Sequence, residues 1–195
     1  MTWWLRVHLV PGACAGVLAC LVLAPLLAGS ALPVPSLLGG LGTGIPVPLV
    51  LPAVPAGFLL YALSRGPFEH EATAVRPVRG YRAGLFAGAA VVAAALGLAE
   101  AQWLDFDLGP AVARNLVGYL GVGLIVQSLA GAAYGPVAVA AVPVGCALVG
   151  LPAGGRPYPW AWPLHEGASP SASAAALGLF AVGLLLRRRA RGAHT

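Results

Sequence analysis

PAVARNLVGYLGVGLIVQSL, residues 110–129, runs for twenty positions with a single charge, Arg114. About twenty apolar residues are what an α-helix needs to cross ~30 Å of hydrocarbon. Working outward, five more stretches have the same character: residues 9–28, 45–63, 83–99, 135–151 and 172–186. Those at 83–99 and 172–186 are near the minimum length and leave little room for tilt.

The composition agrees with that reading. Of 195 residues, 59% are apolar and 9% are charged, and the mean hydropathy is +0.86. Soluble domains carry about 25% charged residues, and seventeen charged side chains cannot cover a folded body of this size. The chain reads as an all-α, polytopic membrane protein, one transmembrane domain over residues 1–195. Nucleic acid is excluded as a partner. The net charge of +5 comes from arginines in small groups beside apolar runs, where they act as topology signals.

Orientation follows from those arginines, because short loops rich in Arg stay in the cytoplasm. Arg6, Arg65, Arg76, Arg79, Arg82, Arg187, Arg188, Arg189 and Arg191 all fall on one side of a six-span chain, which leaves Arg114 and Arg156 toward the other. Glu100, Asp105, Asp107 and Glu166 fall on that second side too. The expectation is six helices with both termini cytoplasmic, in the cell membrane of a bacterium. Trp3, Trp4, Tyr61, Tyr81 and Tyr134 mark the inner interface, and Trp103, Tyr158, Trp160 and Trp162 the outer one. The first run also fits a signal peptide, with Arg6 ahead of it and Ala28, Gly29, Ser30 and Ala31 at its end, but twenty residues is long for such a segment.

Helices in lipid associate through small residues and a few polar contacts. With 27 Gly and 39 Ala, the pairs Gly12 with Gly16 and Gly84 with Gly88 supply packing capacity rather than a dimer motif. Pro33, Pro35, Pro46, Pro48, Pro52 and Pro55 crowd one segment. Each interior proline removes a backbone donor, so the second span is expected to be kinked, or to begin as irregular backbone buried against its neighbours. Residues 36–44 read as a supple loop or a re-entrant turn.

A charge within a span is costly and therefore a functional suspect. Only Arg114 qualifies. One turn inside the expected outer end, it can snorkel to the headgroups, pair with Asp105 or Asp107, or hold an anionic group at the outer face with a hydrogen bond from Asn115. The spans offer no buried Asp, Glu or His for proton coupling, which argues against a self-sufficient secondary transporter. Enzyme chemistry is not indicated. The serines lie mostly in loops, and His8, His70, His165 and His194 are far apart. His70 with Glu69 and Glu71 are three consecutive side chains that do not converge on one ion, so neither a metal nor a cofactor is expected. Cys14, Cys20 and Cys146 show no CxxC spacing and behave as small apolar residues. Two loops carry more. SRGPFEHEATAVRPVRGYR, residues 64–82, contains a candidate short helix over 68–75 between Pro67 and Pro77, and PYPWAWPLHEG, residues 157–167, reads as a stiff segment seated in the outer interface.

In topology the chain resembles the permease subunits of ABC-2-type transporters, with six helices and cytoplasmic termini. The family's coupling helix, between spans two and three, corresponds to residues 64–82, and its re-entrant helices between spans five and six correspond to 152–170. The resemblance implies a dimer of permease subunits, homo- or heteromeric, that exports an amphiphilic substrate at the expense of ATP. No Walker A pattern is present, so hydrolysis falls to a separate ATP-binding subunit, and Arg65, Phe68, Glu69, Glu71 and Arg76 would transmit its motion. Two other readings stay open: a substrate-binding membrane subunit for vitamin uptake, again with six helices, and a non-catalytic membrane scaffold or immunity protein.

Overall fold

The computed structural model describes residues 9–34, 44–64, 78–152 and 156–189. Helix α1 (Val10–Leu23) runs into a 3-10 turn (Pro25–Leu27). A short antiparallel pair follows, β1 (Ala31–Pro33) with β2 (Gly44–Pro46), in the register Leu32 opposite Ile45. The chain then forms α2 (Val47–Val50), α3 (Ala53–Ser64), α4 (Val78–Trp103), α5 (Gly109–Ala130) and α6 (Tyr134–Val149). A second 3-10 turn (Trp162–Leu164) precedes α7 (Pro170–Arg189).

All six apolar stretches are helical, and four have the length and composition to cross a membrane: Val47–Ser64, Tyr81–Trp103, Gly109–Ala130 and Pro170–Arg187. Helices α1 and α6 are equally apolar but shorter, at 14 and 16 residues. Pro25 explains the first, since it turns the α-helix into the 3-10 turn that extends it. The large exposed apolar side chains include Leu26 and Val22 near the end of α1, Val54 on α3, Val91 on α4, Val137 on α6 and Leu177 on α7. A surface this apolar on every side needs lipid rather than water around it.

Helix α5 is the axis of the bundle. It packs most extensively against α7, and also against α4, α6 and α3, and from Ala111 to Gly121 every residue is buried. Pro110 opens α5 where the missing N–H costs nothing, and Gly131, at φ 110°, ends it. Close approach is built from glycines on α5 and on the α7 face opposite it. A Cβ at Gly121 would meet the backbone of Leu179 and Phe180, and one at Gly183 would meet the Gly121 carbonyl. The pairs singled out from spacing do not serve this way: Gly16, Gly84 and Gly88 face open space.

Three points refine or correct the expectations. First, the mostly helical chain also holds one short strand pair. The proline-rich segment forms the β1–β2 pair, tied to α2 by the bond from Val47 N–H to the Ser30 carbonyl, because Pro33 and Pro46 favour extended backbone. Second, Glu100, placed outside the third span, lies within α4, is 7% exposed, and has its Oε2 buried without a hydrogen-bond partner among the described residues. Helix α4 continues to Trp103, and the tight crossing of Gly97 on Gly109 lays α5 over it. Arg82 likewise belongs to α4 and is buried. Third, Trp162 is not an interface anchor. It is 6% exposed and its ring packs on Tyr119, with centroids 5.3 Å apart. Trp160 and Tyr158 do remain at the surface, stacked on each other.

Candidate functional site

The stretch 114–119 of α5 holds a cluster of buried polar side chains. Arg114 donates from Nη1 to the Glu166 carbonyl at 2.8 Å, from Nη2 to the His165 carbonyl at 2.7 Å, and from Nε to Asn115 Oδ1 at 3.3 Å. The planar guanidinium thus spans two consecutive carbonyls, a geometry lysine does not reproduce. Asn115 Nδ2 donates to the Leu49 carbonyl at 3.0 Å and the Pro163 carbonyl at 2.9 Å, and Tyr119 Oη donates to the Leu49 carbonyl at 3.1 Å.

The acceptors explain why these side chains are buried. Pro52 has no N–H, so the helix breaks after Val50, and the break is bridged by Val54 N–H to the Leu51 carbonyl. Leu49 then turns its carbonyl toward α5. The loop over 156–169 is irregular backbone that dips against the helices, tolerated because its carbonyls find donors on α5. Gly118 opens the groove: a Cβ there would collide with the Trp162 ring. Lower on the same helix, Gln127 Nε2 donates to the Leu60 and Ala132 carbonyls, and Ser128 Oγ to the Leu124 carbonyl.

Above this clamp lies a cavity of about 750 Å³ between the β2–α2 entry and the 156–169 loop. Such a volume is within the range of ~300–1,000 Å³ typical of small-molecule sites. Ile45, Leu49, Leu151 and Leu164 give it apolar walls, and Arg156, His165, Glu166 and Ser169 give it polar ones. His165 is committed on both counts: its carbonyl accepts from Arg114, and its Nε2 lies 3.1 Å from the Tyr158 carbonyl.

Arg114 and Asn115, expected as an outer-face polar site, are brought together, and neither lines the cavity. Asp105 and Asp107 are not partners of Arg114 among the described residues, and Asp105 instead takes φ 51° in the turn between α4 and α5. Arg65, Phe68, Glu69, Glu71 and Arg76, expected to couple to a partner, lie outside the described residues, as does the candidate helix over 68–75. The cavity itself was not legible, since it joins residues more than a hundred positions apart; the only signals were the polar cluster HEG at 165–167 and the lone outer Arg156. No family model, no curated protein and no solved structure matches the chain.

Proposed function

We propose that this chain is a multi-pass cell-membrane subunit of an ATP-linked transport system, and that it captures a small solute in the cavity between its first and fifth connections. The observation that carries the reading is a concave site with apolar walls and charged edges, seated on a hydrogen-bonded buried clamp. Site residues held by packed, hydrogen-bonded neighbours bind without a large ordering cost. Six crossings with both termini cytoplasmic put the cavity outside, and the placement of nine of eleven arginines supports that topology. Hydrolysis belongs to a separate ATP-binding subunit, with Arg65, Phe68, Glu69, Glu71 and Arg76 as its contact segment. Of the readings the sequence left open, the substrate-binding subunit fits this cavity better than the exporter, which needs a path through the bundle rather than a cup at one end.

Native mass spectrometry of the protein taken directly from cell membranes into lipid nanodiscs tests this. The wild type is expected to carry a small molecule that Ala168→Trp, which fills the cavity, loses without loss of fold. A wild type free of small molecules, co-purifying with an ATPase that drives efflux, would overturn capture in favour of export.

A further inference from the structure

Resting on the reading of the cavity as a ligand site, we infer that its ligand is a small apolar zwitterion, such as a short apolar peptide with free ends. Two opposite charges line the cavity, the Arg156 guanidinium and the Glu166 carboxylate, both exposed to solvent. Among the described residues neither side chain forms an ion pair or hydrogen bond, with the other or with anything else; the Glu166 main-chain carbonyl accepts from Arg114 and from the Ser169 N–H. The ring of His165, the third titratable group, is engaged through Nε2 with the Tyr158 carbonyl. The rest of the surface combines Ile45, Leu49, Leu151, Leu164 and prolines with His165 and Ser169.

A ligand seated on these walls also displaces part of the water around the two exposed charges beside them. A neutral ligand would pair with neither, an acid would not pair with Glu166, and an amine would not pair with Arg156; each charge that gives up water without gaining a partner costs affinity. Only a molecule that presents a carboxylate or phosphate to Arg156 and an ammonium to Glu166, with an apolar body between or beside them, matches the whole lining. That chemistry has two sources, a free solute and the headgroup of a zwitterionic lipid.

Trileucine, N-acetyl-trileucine and trileucine amide share one body and differ only in end charges. Binding to the full chain in nanodiscs of anionic lipid, read by tryptophan fluorescence and thermal shift, is expected for trileucine and weaker by at least tenfold for each capped form. Arg156→Gln is expected to abolish the preference for trileucine over its amide while sparing the preference over the acetyl form, and Glu166→Gln to do the reverse. Nanodiscs containing phosphatidylethanolamine separate the sources: competition with trileucine assigns the site to the lipid headgroup, and its absence assigns it to the free solute, the zwitterion standing in both cases. Equal binding of all three peptides, or binding of a capped form alone, would overturn the inference while leaving a ligand site in place. Should no peptide bind, the zwitterion is wrong, and the small molecule retained by the wild type but not by Ala168→Trp shows whether the capture reading survives it.

Discussion

At the scale of single residues, the Leu49 carbonyl decides how the clamp responds to change. It accepts from both Asn115 Nδ2 and Tyr119 Oη, so either donor alone keeps it satisfied. Side-chain hydrogen bonds within bilayers average only about 0.6 kcal/mol, and Tyr119→Phe is expected to cost no more than about 1 kcal/mol. Asn115→Leu also frees the Pro163 carbonyl and should cost more. The double variant should exceed the sum by about 1 kcal/mol, because only then is the Leu49 carbonyl left bare. Unfolding in mixed micelles, as a double-mutant cycle, measures this, and strict additivity would refute the shared acceptor. Arg114→Lys should loosen the 156–169 loop almost as much as Arg114→Met, since a single ammonium does not span the His165 and Glu166 carbonyls. Faster chymotryptic cleavage after Trp160, which is exposed in that loop, would report it. Arg114 and Asn115 were visible in the sequence as polar residues in an apolar span. Their partners were not, because main-chain carbonyls carry no sequence label.

At the scale of elements, the contact between α5 and the 162–164 turn depends on the absence of a side chain at position 118. Gly118→Ala would drive a methyl into the Trp162 ring, an overpacking expected to cost about 1–3 kcal/mol. Combined with Trp162→Leu, the same substitution should become nearly neutral. Gly84→Ala, which faces open space, is the control and should stabilise α4 slightly through helix propensity. Thermal unfolding in detergent followed by light scattering ranks the wild type, both single variants at 118 and 162, their combination and the Gly84→Ala control, and a Gly118→Ala variant as stable as the control would disprove the contact. Helix positions were legible to within a few residues because twenty-residue apolar runs have few alternatives in lipid. Which of the 27 glycines mark close crossings was not, since spacing alone selects Gly84 and Gly88 as readily as Gly121 and Gly183.

At the scale of the molecule, the topology yields a direct measurement. In a background where the exposed Cys14 is replaced by Ser, a cysteine at Ala168 should react with impermeant maleimide from outside intact cells, and one at Ala72 only after permeabilisation. The opposite pattern would invert the bundle and put the cavity in the cytoplasm. Zwitterionic ligand should protect the cysteine at Ala168, which lines the cavity.

The sequence by itself determined the solvent of this protein and its helical segments, because burying an unpaired peptide group in hydrocarbon is so unfavourable that composition and run length leave little choice. Its proline crowding also foretold a broken second span, borne out at Pro52. Only the tertiary structure decided which helix is central, that Glu100 is buried, and that a loop near the C-terminal end and a broken helix near the N-terminal end share one cavity. Those outcomes depend on shape fit between distant surfaces, and in a chain where alanine and glycine fill a third of the positions, many helix pairings look alike until close packing selects one.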